Sequence, residues 1–375
     1  IIHTSNRFRE VLLITRILTL FALTACSSIE KTEEETQWDE HVFSVNCEAL
    51  EAHFVTTATS SVDDWTGYWE CFQEENNCQG TSCSWSVSDL PDYVVNESCE
   101  DAGSCTIGNE TVSECAVIEN TGSVSFACSD DNSVITANGL PDHTFENYAQ
   151  SGQLPPLLGS SENNTEYTVS AAPVYRADSE IFEMGGGTIA VAVNGVSIFN
   201  QFTGTGLVAV EDEIVDDCGG HPANGNYHYH AWPKCGELST SDRMGADGSH
   251  SGLVGLSVDG FPVFGPFGYD DGSDDSSSVV RMNSCYTLSA CDDITSSDCY
   301  GFDDDAYSNG NCHLDRCNGR VTAVPSELQD ALGEEIYAYY MTLDESGEAA
   351  FPYQPYCYRG DISSNGGIAS GPPLQ

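Results

Sequence analysis

Basic side chains are scarce in this sequence. Its 375 residues include 11 Lys and Arg against 59 Asp and Glu, which gives a formal net charge of −48. A surface this acidic repels phosphate backbones, so nucleic-acid binding is excluded as a function. The same charge attracts divalent cations, although a heavily solvated acidic surface is the simplest interpretation.

Several common motifs are also missing. The sequence has no Gly-x-Ser-x-Gly elbow, no phosphate-binding glycine loop and no dinucleotide fingerprint, which argues against the enzyme classes built on them. It has no Cys-x-x-Cys pair either, which argues against a zinc ribbon or a thioredoxin-like redox site. No apolar run is long enough for a permanent membrane-spanning helix.

The first 26 residues have the pattern of an export leader. Arginines precede the short apolar run 17–25, which ends in Ala25-Cys26. A small residue directly before a Cys at this point resembles a bacterial lipobox, in which the Cys becomes the lipidated N-terminus. Ser27, rather than Asp, follows the Cys and favours the outer membrane in the usual sorting pattern. We therefore predict a signal peptide over 1–25, lipidation at Cys26, and export to the outer membrane or cell surface, with an ordinary signal peptide as the alternative.

Cysteines are plentiful and support export. Of the 17, Cys26 is assigned to the lipobox, and the others divide evenly between an early and a late set. The early set is Cys47, Cys71, Cys78, Cys83, Cys99, Cys105, Cys115 and Cys128, and the late set is Cys218, Cys235, Cys285, Cys291, Cys299, Cys312, Cys317 and Cys357. An even number in each set is typical of two self-contained groups of disulfides formed in an oxidising compartment.

Composition divides the rest of the chain into four parts. Residues 26–40 are polar and acidic and are predicted to be a tether from the membrane. Residues 41–128 are rich in Cys and poor in apolar side chains, so disulfides are expected to stabilise them. Residues 130–360 alternate strand-like runs with turn residues, and 361–375 are predicted to be a flexible tail.

The region 130–360 is predicted to be mainly β, as a sandwich or an irregular barrel. Runs such as Thr188–Val193 and Leu253–Val258 are followed by Asn194-Gly195 and Asp259-Gly260, dipeptides that favour tight hairpin turns. Only Pro325–Leu332 has a helical pattern.

Three histidines within ten residues are the main candidates for chemistry: His221, His228 and His230. On a strand, His228 and His230 would share one face, with Tyr227 and Tyr229 on the other. His221 would fold back across the Asn224-Gly225 turn as a third ligand. Three neutral imidazoles with an open position suit Zn²⁺ or Cu²⁺. Structural polar packing and a metal-free catalytic histidine are the alternatives.

Other side chains are predicted to support this site. His250 is the best candidate for a fourth ligand or a base that acts through the ligands. Asp259 is either a turn residue or a carboxylate that orients a ligand histidine. A Cys218–Cys235 bond would restrict the loop that carries the three histidines, with a stabilisation on the order of 3 kcal/mol. Calcium is a weaker prediction, because the acidic loops 270–275 and 303–305 do not match a helix-flanked calcium loop.

Two segments resemble each other weakly. The pattern Cys218-x-Gly followed by Tyr227-x-Tyr recurs as Cys317-x-Gly followed by Tyr337-x-Tyr, without the histidines. Either one copy of a repeat has kept its chemistry and the other has become structural, or the similarity is due to chance.

Four motifs, in order, resemble those of the YHYH-domain proteins. They are 217–235 with Tyr227-His228-Tyr229-His230, 250–266, 314–320, and Phe351-Pro352-Tyr353. The resemblance covers roughly residues 130–360 and implies family membership, export and a shared site rather than a particular reaction. Many members carry a histidine in the second Tyr-rich motif, which here is Tyr337-Ala338-Tyr339-Tyr340. If that motif supplies ligands in relatives, this chain has lost them.

Three functional hypotheses follow. The first is a lipid-anchored surface protein that captures or displays a metal ion, the second a metal-dependent extracellular hydrolase or oxidase, and the third a non-catalytic adhesion or structural protein. The partners expected are the membrane, through the lipid anchor, and a metal, small-molecule or cell-surface ligand. An open coordination position beside an apolar cleft would favour the enzyme, and a closed site would favour storage or structure.

Overall fold

The computed structural model describes residue 38 and residues 40–54, 104–148 and 165–362, with short internal gaps. The predicted signal peptide, the lipidation site Cys26 and most of the acidic tether lie outside the described residues. So do most of the Cys-rich region and all but the first residues of the tail. The chain divides into one unit up to Asp39 and another from Glu40 onwards, and all that follows concerns the second unit.

The described residues form mainly short strands. The strands are β1 Ser104–Ile107, β2 Glu110–Ser113, β3 Cys115–Ile118, β4 Val124–Ser129, β5 Asn132–Ala137, β6 Phe145–Tyr148, β7 Thr165–Ser170, β8 Phe182–Glu183, β9 Thr188–Ala192, β10 Ser197–Phe199, β11 Gly220–Ala223, β12 Asn226–Tyr229, β13 Leu253–Ser257, β14 Pro262–Phe264, β15 Phe267–Tyr269, β16 Val279–Arg281, β17 Tyr286–Leu288, β18 Tyr300–Phe302, β19 Gly319–Ala323, β20 Glu335–Tyr340 and β21 Cys357–Tyr358.

The helices are single turns. They are α1 Cys47–Glu51, α2 Ala209–Asp212, α3 Ser241–Met244, α4 Asp304–Ser308 and α5 Gln329–Leu332. Of these, α5 lies within the segment that the sequence predicts to be helical. Three 3₁₀ turns, Asp178–Glu180, Gly236–Ser239 and Ser297–Cys299, complete the helical structure of the described residues. None of these helices is long and apolar enough to cross a membrane.

An eight-stranded mixed sheet organises the fold. Its order is β11-β12-β10-β9-β13-β14-β20-β19. The inner strands β9, β13 and β14 are apolar and almost wholly buried, which is the pattern of strands covered on both faces. The prediction of a mainly β fold is confirmed, and in the described residues this sheet is open, with β11 and β19 as its edges.

A smaller sheet, β4-β5-β7, packs against turns of the large one, since a Cβ at Gly195 would lie 2.8 Å from the Cβ of Ala137 in β5. Tyr167 of β7 shares a hydrogen bond of 2.8 Å with Ser197 of β10. The segment 40–54 joins this layer, since the Phe54 ring packs against Phe126 of β4 with ring centroids 4.7 Å apart. A disulfide between Cys47 and Cys128 fixes α1 to β4.

The late cysteines pair only with one another. Their bonds are Cys218–Cys235, Cys285–Cys312, Cys291–Cys299 and Cys317–Cys357. The late set is therefore self-contained, as the even count predicts, and it includes the predicted Cys218–Cys235 bond. Of the early set, the Cys47–Cys128 pair is described.

The large sheet is built from two copies of one unit. The hairpin β11–β12 joins the hairpin β9–β10 through β12, which pairs in parallel with β10. The hairpin β19–β20 joins the hairpin β13–β14 in the same way, with β14 parallel to β20. The two copies meet where β9 pairs with β13, and the sheet order is palindromic about that pair.

The strand register shows that the copies are equivalent residue by residue. Ile198 pairs with Tyr229 in the first copy, and Val263 pairs with Tyr339 in the second. At the centre of the sheet Val191 pairs with Leu256. The repeat that relates the two copies converts the neighbouring pair Ala192–Gly255 into the pair on the other side, Ala190–Ser257. The turns also correspond, since Gly195 and Gly260 both adopt a positive φ, of 84° and 96°. The two segments that resemble each other in sequence therefore occupy equivalent edge hairpins.

Candidate metal centre

A buried aspartate shapes the start of the edge hairpin β11–β12. Asp216 accepts hydrogen bonds from the backbone N–H groups of Cys218 and Gly220, at 2.9 and 3.0 Å, through one carboxylate oxygen. Its other oxygen accepts from the Tyr227 hydroxyl at 2.7 Å. Between these donors Gly219 adopts a φ of 84°, and a Cβ there would lie 2.7 Å from the Trp232 carbonyl oxygen, so the turn requires glycine.

Strand alternation then places the histidines together. His228 and His230 project to one face of β12, and Tyr227 and Tyr229 form hydrogen bonds on the other. His221 lies directly opposite His228 in the antiparallel register. The arrangement is the one that strand periodicity predicts from the sequence. The turn residues 224–225 lie outside the described residues.

The imidazole nitrogens converge. His228 Nε2 lies 3.0 Å from His221 Nε2 and 3.1 Å from His230 Nε2. A metal ion bonded at about 2.0 Å to two nitrogens in a tetrahedral or trigonal arrangement separates them by roughly 3.3–3.5 Å. The observed separations differ from that spacing by a few tenths of an ångström. The three side chains are buried, with exposed fractions of 0%, 2% and 2%.

The protonation state of His230 is fixed by its surroundings. Its Nδ1 lies 2.8 Å from the Asn200 carbonyl oxygen, which has no proton to give, so Nδ1 is the donor. Burial lowers the pKa of His230 to about 4, and the bond to Asn200 only partly opposes this effect. The ring is therefore neutral at pH 7, and its Nε2 presents a lone pair to His228.

The lone pair of His230 Nε2 limits the number of hydrogen bonds that the three histidines can form with one another without a metal ion. His228 Nε2 contacts two nitrogens and carries at most one proton. If it donates to His230, it has no lone pair left to accept from His221, so at most one of the two short contacts is a hydrogen bond. A cation between the three nitrogens would satisfy all of them together.

An aromatic ring covers one side of the cluster. Phe199, at the end of β10, stacks on His228 with ring centroids 3.9 Å apart and an interplanar angle of 23°. The same ring meets His230 edge-on at 6.1 Å. The histidines thus lie in an apolar, desolvated environment, which strengthens every electrostatic interaction inside it.

The tyrosine face of β12 holds the hairpin to the rest of the domain. The Tyr229 hydroxyl lies 2.9 Å from His143 Nε2 and accepts from the Asn194 amide at 3.0 Å. Burial raises the pKa of Tyr229 well above its ordinary value, so the hydroxyl keeps its proton. Tyr227 and Tyr229 therefore position the strand that carries the histidines, without touching them through their hydroxyls.

The Cys218–Cys235 bond encloses all three histidines in one covalent loop. His143, Cys218 and Cys235 form a second group of side chains that lie close enough together to ligate one metal ion. Because both sulfurs are bonded to each other, they offer no thiolate, and the pair acts as a brace for the hairpin.

The structure does not bring His250 to the other histidines. Its Nδ1 lies 2.7 Å from the Ser251 carbonyl oxygen and its Nε2 lies 3.1 Å from the Tyr340 hydroxyl. Tyr340 belongs to β20, in the second copy of the unit. Burial lowers the pKa of His250 to about 4, so it is a neutral, hydrogen-bonded side chain of that copy.

Asp259 also belongs to the second copy. It is the turn residue between β13 and β14, and it accepts hydrogen bonds from the Tyr339 hydroxyl at 2.5 Å and the Gly360 N–H at 2.9 Å. Burial raises its pKa, and these hydrogen bonds oppose the increase. Asp259 therefore holds the Tyr339 hydroxyl in the second copy, as Asn194 holds the Tyr229 hydroxyl in the first. It does not lie with the three converging histidines.

The second edge hairpin shows what replaces the histidines. Its register places Arg320 opposite Ala338, where His221 faces His228 in the first hairpin. Tyr340 stands in the position of His230, because each donates its backbone N–H to the residue after the cysteine, Asn318 or Gly219. The second copy is thus a framework of the same shape with a fixed guanidinium in place of one imidazole.

Sequence reasoning missed several side chains that build the site. Asp216 has Asp315 as its counterpart. Each accepts hydrogen bonds from the backbone N–H groups two and four residues after it. Extending the sequence repeat by two residues towards the N-terminus would have found Asp216. The contribution of Asn200 is made through a backbone carbonyl, which leaves no sequence signal, and Phe199 has the ordinary pattern of a strand residue.

The ligand set restricts the chemistry. Three imidazole nitrogens suit zinc or copper, whereas calcium and magnesium prefer oxygen. In the part of the chain that the structure describes, no fourth His, Cys, Asp or Glu side chain joins the group. Two carboxylates of the acidic loop 270–275 are bonded locally, since Asp271 accepts from Ser273 and Asp274 accepts from Ser276, just beyond the loop.

Comparisons with known proteins give one result. A family model described as "YHYH protein" matches residues 166–360, which is more than half of the chain. Searches of curated proteins and of solved structures returned no match. The matched segment contains the whole large sheet and all three converging histidines, so the resemblance seen in the sequence motifs is confirmed.

Proposed function

The chain belongs to the YHYH protein family, and we propose that its domain binds a copper or zinc ion through His221, His228 and His230. The observation that carries the proposal is the convergence of three imidazole nitrogens at 3.0 and 3.1 Å. Of the two contacts at His228 Nε2 at most one is a hydrogen bond, whereas a cation between the three nitrogens would be bound by all of them.

We further propose that the protein works outside the cytoplasm, attached to the membrane through Cys26. The leader sequence and lipobox are the basis for this step. The disulfides of the domain support it, because such bonds persist in oxidising compartments. In this setting the domain captures or holds a metal ion at the outer membrane or cell surface.

Burial favours metal holding over catalysis. A catalytic site keeps a position open to substrate, but the histidines have exposed fractions of at most 2% and Phe199 lies over one of them. The proposed role is therefore binding, and a metal-dependent hydrolase or oxidase is the less favoured hypothesis.

Metal analysis of the purified protein tests the proposal. After loading with copper or zinc and removal of loosely bound ions with a weak chelator, we expect one ion per chain. The variant His228→Ala should retain none. This change suits the fold, because Ala338 occupies the equivalent position in the second hairpin.

His250→Gln is the matched control. His250 is also buried, but it lies outside the converging group, so the variant should keep its ion. Loss of metal from both variants, with circular dichroism unchanged, would count against the site. The absence of any ion retained by the wild type would overturn the proposal.

The membrane attachment has its own test. Cells that express the wild-type protein should incorporate a labelled fatty acid into it and retain it in the membrane fraction. The variant Cys26→Ser should lose the label and appear in the soluble exported fraction. Equal labelling of both proteins would exclude Cys26 as the anchor.

A further inference from the structure

We infer that the ion held by the three histidines is monovalent copper, Cu⁺, rather than a divalent ion. The inference rests on the proposed metal site and specifies its ligand. It follows from the charge of the donors, the number of donors and the environment that surrounds them.

The donors are neutral. Three imidazoles contribute no negative charge, and the group includes no carboxylate or thiolate from the described residues. A bound Cu⁺ leaves the cluster with a net charge of one, whereas Zn²⁺ or Cu²⁺ leaves it with two. The free-energy cost of burying an ion grows with the square of its charge, so the divalent cluster is much more costly in a desolvated pocket.

The nearby carboxylate is not a ligand of the ion. Asp216 is the buried acid of the same hairpin, and both of its oxygens are already occupied. It is directed at Tyr227, which lies on the face of β12 opposite the histidines. The acidic surface of the protein attracts cations of either charge, but its effect is screened by solvent and salt.

The number of donors points to the same ion. Zinc in proteins is almost always four-coordinate, and a site with three protein ligands takes water as the fourth. Here the rings are buried and Phe199 stacks at 3.9 Å on the central one. Water is therefore hard to accommodate at that position. Cu⁺ carries a smaller charge than Zn²⁺ and is stable with three nitrogen ligands, so it needs no fourth.

The hairpin also holds the three imidazole nitrogens close together before an ion enters. His230 is fixed by its bond to Asn200 with its Nε2 lone pair pointing inward. His221 and His228 face it from the two strands of the hairpin, which the Cys218–Cys235 bond closes. A site prepared in this way loses little entropy when the ion enters.

Competition titrations test the inference. The purified protein would be titrated with Cu⁺ under anaerobic conditions against bicinchoninate, and separately with Zn²⁺ against a chromophoric zinc chelator. We expect the protein to bind one Cu⁺ per chain, more tightly than Zn²⁺. In His228→Ala the Cu⁺ affinity should fall by at least the roughly hundredfold loss that even an outer-shell substitution can cause.

X-ray absorption at the copper edge supplies a second measurement. We expect a Cu⁺ edge and about three nitrogen neighbours near 2.0 Å. A tighter, His228-dependent affinity for Zn²⁺ would overturn the assignment to Cu⁺ while leaving the metal site intact. Failure of both ions to bind would overturn the site itself, and His250→Gln should match the wild type in both titrations.

Discussion

At the residue level, burial makes two histidines unusually poor bases. The pKa values of His230 and His250 both fall to about 4, chiefly because desolvation disfavours the charged ring. Each ring gives its Nδ1 proton to a backbone carbonyl, of Asn200 or Ser251. A histidine held in this way is neutral over the whole physiological range, which is the form that binds a metal.

The low pKa of His250 predicts a loss of stability in mild acid. In the unfolded chain this residue takes up a proton near pH 6.5, whereas in the folded protein it does so only near pH 4. Protons therefore favour the unfolded state as the pH falls through this interval. We expect the free energy of unfolding to fall by about 3 kcal/mol from this residue alone, with no contribution above pH 6.5.

Urea denaturation at a series of pH values between 7 and 4 measures this effect. The variant His250→Gln keeps polar groups for Ser251 and Tyr340 but cannot titrate, so its stability should depend less steeply on pH. The comparison uses slopes, which makes it independent of any change in the baseline stability of the variant. Identical slopes for the two proteins would show that His250 is protonated in both states alike.

How far the site was predictable also depends on the residue. His221, His228 and His230 were placed together by strand alternation and a hairpin turn, because both rules depend only on local spacing. His250 was expected to join them and instead lies against Tyr340. His250 lies just before β13, and its partner Tyr340 lies on β20, which joins the same copy of the unit through the parallel pairing of β14 with β20. Long-range pairing of this kind has no signature in local spacing.

At the level of elements, the edge hairpin β11–β12 is the unit that makes the site. His221 and His228 lie on it and His230 directly follows β12, all between Cys218 and Cys235. An edge strand has hydrogen bonds on one side only. The disulfide and the bonds from Asp216 therefore replace part of the support that an inner strand would receive from a second neighbour.

Removing this disulfide should weaken metal binding as well as stability. We expect Cys218→Ser/Cys235→Ser to lower the free energy of unfolding by about 3 kcal/mol, the value expected for a closed loop of this length. The affinity for the ion should also fall, because the loop that aligns the histidines becomes more flexible. Thermal unfolding and metal competition on the same sample measure the two effects.

The Cys291–Cys299 bond provides the comparison. It closes a short loop next to β18, away from the large sheet. Cys291→Ser/Cys299→Ser should lower the melting temperature while the metal affinity stays at the wild-type value. If both double variants lost metal to the same degree, the effect would reflect general destabilisation rather than the alignment of the ligands.

At the level of the whole molecule, the domain is a two-fold repeat whose copies have diverged. The repeat was only a weak signal in the sequence, because few of the aligned residues are identical. In the structure the copies share their strand register, their positive-φ glycines and a buried aspartate at each edge hairpin. The residues that the copies share are few and widely spaced, so the common arrangement of strands leaves only a weak repeat in the sequence.

The mainly β class was predictable, whereas the sheet order was not. Period-two runs and Asn-Gly or Asp-Gly turns identify strands and hairpins locally. The order of the sheet instead depends on two parallel pairings, β10 with β12 and β14 with β20, which join hairpins that are separate in the sequence. Packing of buried faces between distant segments selects these pairings, and a single sequence does not reveal them.

If the copies are equivalent, the lost site can be rebuilt in the second one. The substitutions Arg320→His, Ala338→His and Tyr340→His reproduce, on β19 and β20, the positions of the three histidines on β11 and β12. Placed in the His228→Ala background, the triple variant should bind one ion per chain, measured by competition titration. The single variant Arg320→His in that background should bind none. A triple variant that is folded by circular dichroism and still binds no ion would mean that the register alone does not make the site, and that other contacts of the first copy, such as the bond from His230 to the Asn200 carbonyl, are also required.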